Sequence, residues 1–127
     1  MRVCVRRVLE VVGRELQLRL AAGMRAGRMT DQAAAIGRLY GGVARARTAT
    51  IKYELAGPSA AAWSDEDGAA AEMGFTYLMR QVSCIGGGTT EMARNVVSER
   101  VLGMPRERAV DRDVPFREVP RSAPAQG

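Results

Sequence analysis

The sequence predicts an all-α fold: an up-down bundle of about four helices over residues 1–104, followed by a disordered tail over 105–127. Three observations carry that expectation. Ala, the strongest helix former, fills 20 of the 127 positions. Apolar residues recur at steps of three and four, which is the helical period. Gly and Pro fall between those periodic stretches, at Gly27, Gly57-Pro58, Gly86-Gly87-Gly88 and Gly103 with Pro105, where they act as stops.

The first helix is expected from about Val5 to Ala26. Val5, Leu9, Val12, Leu16, Leu20 and Met24 form one stripe, and Arg7, Glu10, Arg14 and Arg25 fall on another. Glu10–Arg14 and Glu15–Arg19 are i,i+4 pairs in the favourable order, and Gly27 can end the helix. The second is expected from about Asp31 to Leu55, with Thr30 as N-cap and Asp31 in the first turn. Its stripe is Ile36, Leu39, Tyr40, Val43, Ala46 and Ile51. Gly37, Gly41 and Gly42 each cost about 1 kcal/mol in a helix interior; close approach by a neighbouring helix is the expected reason for them.

A short loop follows, ending in Trp63. Ser64 and Asp67 resemble a capping box, so the third helix is expected from there to about Arg80–Cys84. Ala70, Met73 and Tyr77 lie on its buried side, and Met73 and Met79 read as core filler. Thr89 or Thr90 caps a fourth helix with Glu91 in its first turn. It ends near Leu102, with Gly103 and Pro105 beyond. Pro105, Pro115, Pro120 and Pro124 among alternating charges give the tail.

Composition narrows the chemistry. There is no His, which removes a Ser-His-Asp triad, a Cys-His dyad and any imidazole base or ligand. Two cysteines, Cys4 and Cys84, cannot form a Cys-rich zinc site or a disulfide framework. A reduced, cytoplasmic setting fits best. No run of 18 apolar residues suggests a membrane span. The net charge is +5 and 18 of the 19 basic residues are Arg. That excess is local: residues 1–30 hold seven Arg against Glu10 and Glu15, whereas residues 58–80 hold Arg80 against Asp65, Glu66, Asp67 and Glu72. Solvated helix faces account for it, and no nucleic-acid partner is expected without interleaved aromatics or a recognition motif.

The triple glycine is the sharpest local feature. Three glycines bare the backbone to a ligand. The helix start behind them offers free N–H groups and a positive dipole end. The spacing fits neither the P-loop nor the dinucleotide fingerprint, and a tight helix–helix turn would use the same residues. Arg100 falls on the apolar side of the fourth helix, among Met92, Ala93, Val96 and Val97. It must pair, snorkel, cap carbonyls or reach across an interface. Cys84 reads as a buried, inert thiol. The Asp65-Glu66-Asp67 run reads as helix-start charge rather than a metal site, because consecutive positions on a helix do not converge.

Ile85 to Arg106, read as Ile85-Gly86-Gly87-Gly88-Thr89-Thr90-Glu91-Met92-Ala93-Arg94-Asn95-Val96-Val97-Ser98-Glu99-Arg100-Val101-Leu102-Gly103-Met104-Pro105-Arg106, closely resembles the C-terminal signature of the acyl-CoA dehydrogenase family. That signature runs I-x-G-G-T-x-E-x-x-R-N-x-x-x-E-R-x-L-G-x-P-R. Glu54-Leu55-Ala56-Gly57-Pro58 is similar to the helix end before the family's variable loop. The resemblance implies a flavoenzyme domain of lipid β-oxidation. In that family a base removes the α proton of an acyl-CoA thioester while the β hydride passes to FAD, and the C-terminal helical bundle sits at the centre of a dimer of dimers. By resemblance Gly88 lines the substrate site, Thr89, Thr90 and Glu91 match the stretch that touches FAD, and Arg100 serves the bundle or a subunit interface. The implied partners are the acyl-CoA substrate of the complete enzyme and other dehydrogenase subunits, as a homo- or hetero-oligomer.

Two departures from the family pattern matter. Many members carry the catalytic Glu in this loop, where Gly87 stands here; a second branch takes it from an earlier helix, which would lie upstream of Met1. Full members are also several-fold longer, and no Gln-x-x-Gly-Gly motif for FAD is found. The expectation is therefore a fragment, a truncated product or one part of a split enzyme, with the base supplied from outside and the chain alone inactive.

Overall fold

The computed structural model describes residues 2–64, 66, 68–106, 111 and 114–119. It is all-α, with no strand among the described residues. Two long helices come first: α1, Arg2–Arg25, and α2, Ala34–Ala56. Shorter ones follow: α3, Ala69–Leu78; α4, Val82–Ile85; and α5, Thr90–Val96. A 3-10 turn, Met79–Gln81, joins α3 to α4, and a π turn, Val97–Val101, extends α5.

The glycine stops act as the sequence implies. Gly27 takes φ +66° and its N–H bonds the Met24 carbonyl at 3.0 Å. Gly57 takes φ +63° and its N–H returns to the Tyr53 carbonyl. Only a residue without Cβ enters this region without strain, so the helices end there. The starts differ from expectation. Thr30 makes no side-chain cap, and its carbonyl accepts the Ala33 N–H at 2.9 Å. That three-residue closure makes Asp31–Ala33 a 3-10 turn and delays α2 to Ala34. The third helix begins at Ala69, not Ser64, because Gly68 at φ +49° interrupts helical propagation. The Asp67 half of the expected capping box lies outside the described residues, as do Asp65 and most of the 105–127 tail. Within the tail, Phe116–Glu118 forms a lone 3-10 turn.

α2 is the central element, packed against α1, α3, α4 and α5. Tyr40 donates its hydroxyl to the Leu9 carbonyl at 2.9 Å, tying α2 to α1. Tyr53 stacks on Tyr77 with centroids 4.0 Å apart, and Arg80 lies 3.9 Å over the Tyr77 ring, tying α2 to α3. A Cβ placed on Gly42 would lie 2.8 Å from the Ser83 carbonyl oxygen, and one on Gly37 would strike the Gln17 amide. Gly42 thus admits close backbone approach by a neighbouring helix, as expected, whereas at Gly37 the near group is a side-chain end. Gly41 shows no such approach: the atoms nearest its Cβ position are the movable end of Arg45, in ordinary contact at 3.6 Å.

The core is small and made mostly of alanines: Leu20, Ala33, Ala49, Ile51, Ala60 and Ala93. Of the α1 stripe, Leu20 is buried, but Val5 and Val12 are 39% and 45% exposed. Val43 and Met79, expected inside, stand out in solvent. The reason is coverage. α1 packs on α2 and touches the Asp31–Ala33 turn, and most of its remaining surface faces solvent. Of the two expected ion pairs, Glu15–Arg19 forms at 2.8 Å. Glu10 turns instead to Arg6 at 2.9 Å and Arg7 at 3.6 Å, leaving Arg14 aside. No helix among the described residues is long and apolar enough to cross a membrane.

Candidate functional site

The triple glycine forms an exposed turn between α4 and α5. The Gly86 N–H closes on the Val82 carbonyl at 2.8 Å, ending α4, and the Gly88 N–H reaches the Ile85 carbonyl at 3.0 Å. Gly87 and Gly88 take φ +76° and +108°, so any side chain at either would be strained. This turn therefore needs glycine for its own geometry, and the same geometry presents bare backbone to solvent.

Thr89 then caps α5: its hydroxyl oxygen accepts the Met92 N–H at 3.1 Å. Thr90 is 9% exposed, and its methyl group faces the bare backbone at Gly42. Its hydroxyl donates to Glu91 Oε1 at 3.1 Å. The Glu91 carboxyl is held below its ordinary value of 4.5, first by its own backbone N–H, then by the Thr90 and Thr89 hydroxyls and by Arg94, whose guanidinium is 3.4 Å away. Glu91 is exposed and ionised at neutral pH beside the glycine turn.

The sequence-predicted residues Gly88, Thr89, Thr90 and Glu91 thus sit in one short stretch, with three different orientations. Gly88 offers backbone, Thr89 and Glu91 line the rim, and Thr90 points inward. One residue was missed. Arg38 on α2 donates from Nη1 to the Gly86 carbonyl at 2.8 Å, and its guanidinium is the nearest group to where a Cβ of Gly87 or Gly88 would stand, 3.9 Å from each. Arg38 holds the turn against α2 and adds a cation to the rim. Its i,i+4 spacing from Gly42 was a usable sign, because it puts Arg38 on the face that α4 and α5 approach.

Arg100 is exposed and makes no ion pair among the described residues, whereas its neighbour Glu99 pairs with Arg106 at 3.4 Å. The π turn is the cause: its wider winding shifts the register after Val96 and carries Arg100 off the side that Ala93 buries. Cys84 is half-buried and Cys4 exposed. Among the described residues no three His, Cys, Asp or Glu side chains gather as a metal site. No family model, curated protein or solved structure matches this chain.

Proposed function

We propose that this chain is the C-terminal helical domain, as a fragment or split subunit, of an FAD-dependent acyl-CoA dehydrogenase. The reading rests on the likeness of Ile85–Arg106 to that family's signature. The observation that carries it is the bare turn at Gly87 and Gly88, followed at once by the Thr89-capped helix with Glu91 in its first turn. The finer architecture belongs to the same reading: an up-down bundle of about four helices, in which α3 and α4 count as one broken helix.

The residues suit a flavin at the rim. Gly87 and Gly88 raise no side chain against a ring edge, and Thr89 and Glu91 supply polar groups beside it. Thr90 acts indirectly, by fixing the Glu91 carboxylate. Gly88 would allow the acyl thioester to approach. When bound, FAD supplies the hydride acceptor for α,β-dehydrogenation. Gly87 carries no carboxylate, so the base that takes the α proton comes from another chain or segment.

Co-expression with dehydrogenase subunits encoded beside it tests this reading. A yellow, flavin-loaded complex that needs both chains and oxidises an acyl-CoA is the expected result. The purified chain with added FAD should be inactive; turnover by the chain alone would refute the split arrangement. A second reading, a non-enzymatic helical module that pairs with a full-length dehydrogenase subunit, is favoured by the exposed apolar residues Val5, Val8 and Val12 of α1. It predicts a stable but colourless complex.

A further inference from the structure

Away from the glycine turn, one face of α2 is only half-buried and lies along a groove. Gly41, Ala44, Thr48 and Lys52 follow the three- and four-residue steps of a single helix face. With α1 as its wall and Thr76 of α3 at its far side, that face floors a hollow of ≈ 460 Å³. A second hollow of ≈ 440 Å³ shares Lys52 and continues past Leu55 toward Met73. From Gly41 to Leu55 the floor is about 21 Å long at 1.5 Å per residue, the length of a helix of about four turns. Its middle is lined by small residues with the movable Arg45 guanidinium beside Gly41, so a helix backbone can lie close to it once that side chain swings to the rim.

The charge on this groove is one-sided. Arg14, Arg45 and Lys52 line it and make no ion pair among the described residues. The acid at the same rim, Glu10, is already neutralised by Arg6 and Arg7. Glu72 lies only in the second hollow. Arg45 and Lys52 are seven residues apart, about 10 Å along the axis, which matches acids spaced i,i+7 on an aligned helix. A second copy of this chain is the poorer occupant, since its most exposed long helix, α1, would bring Arg against Arg.

We infer that the α1–α2–α3 groove is a docking site for an acidic amphipathic helix of a partner protein. The helix sets small or apolar residues on the Gly41–Thr48 floor and carboxylates against Arg14, Arg45 and Lys52. This is helix-in-groove recognition with a charged rim that fixes register and partner sign. It is independent of the dehydrogenase reading and uses no residue of the glycine turn.

The test is fluorescence anisotropy of the full chain with a labelled, stapled helical peptide of about 18 residues. The peptide has an Ala/Leu stripe and Glu at i,i+7 on both flanks; its counterpart carries Lys at the Glu positions. The Glu peptide should bind saturably and at least about 10-fold more tightly than the Lys peptide, with affinity falling as salt rises. Arg45→Glu with Lys52→Glu should invert that preference. Ala44→Trp should fill the floor and abolish binding with the helical circular dichroism retained. If Ala44→Trp unfolds the chain, the charge reversal at two outward-facing positions still decides the matter. Failure of both peptides to bind, equal binding, or a preference that survives charge reversal overturns the proposal. So does a self-association of the chain that Ala44→Trp removes, which would give the groove to a second copy.

Discussion

Gly41 and Gly42 are adjacent in α2 and look onto opposite conditions. Gly42 faces the side where α4 and α5 dock: the Ser83 carbonyl would be 2.8 Å from its Cβ, and the Ser83 hydroxyl, which donates to the Arg80 carbonyl at 2.7 Å, lies 3.3 Å from the Gly42 carbonyl. Gly41 faces the groove, where the atoms nearest a Cβ belong to the flexible end of Arg45, at 3.6 Å. The same residue type at neighbouring positions is thus a packing requirement on one side and borders a movable side chain on the other. A covered and a half-open face of one helix divide the molecule: the glycine turn is held on the covered side, and the cationic groove runs along the other.

The sharpest break of that comparison is Gly42→Val. Its side chain meets backbone rather than a movable side-chain end, so the α2–α4–α5 contact must open. The expected loss is about 3 kcal/mol, at the upper end of overpacking costs, read from urea or thermal unfolding. A near-neutral result would mean that α4 and α5 are not seated on α2 as described. Next in size is Thr89→Ala. It leaves the Met92 N–H without its cap and should cost about 1 kcal/mol, with Thr89→Ser recovering most of it in the same melts. Gly41→Ala should go the other way and stabilise by about 0.5–1 kcal/mol, since Ala is the better helix former and nothing rigid stands in its way. A loss there would show that the groove is already closed in solution.

The smallest expected effect is on pH dependence. The Glu91 carboxyl, like that of Glu10, has a folded-state pKa lowered below 4.5. Each carboxylate therefore adds stability that is present above the unfolded value and is lost as pH falls through the lower folded value. Both groups are exposed, so the change is small. Melts between pH 6 and pH 3 should show it, and Glu91→Gln should flatten the acid limb. A limb of unchanged slope in Glu91→Gln would mean that the Thr89–Thr90–Glu91 contacts do not persist in solution.

Much of this was legible in the residues themselves. Gly27, Gly57 and Gly103 stop helices because they alone enter positive φ freely, and the glycine run before Thr89 marks a turn and a cap. These are local effects that short stretches of chain specify. Other features were not legible. Whether Glu10 pairs with Arg14 or with Arg6 and Arg7 depends on side-chain rotamers that the residue spacing leaves open, since all three Arg lie about one turn from it. The displaced start of α3 was not anticipated, because the Ser64–Asp67 pattern imitates a cap while Gly68 interrupts the helix. Arg100 escaped because a wheel drawn at 3.6 residues per turn cannot foresee a π turn.

By itself, then, the sequence determined the helical class, most helix ends and the short stretch from Gly86 to Glu91 as the place of interest, since backbone conformational preference and capping act within a few residues. The tertiary structure decided what lies against what. It brought Arg38 to the Gly86 carbonyl across 48 positions, separated the roles of Gly41 and Gly42, and left a cationic groove open beside a core made mostly of alanines. Those outcomes depend on which helix faces find a neighbour, and a periodic stripe of apolar residues announces a face to be covered without naming what covers it.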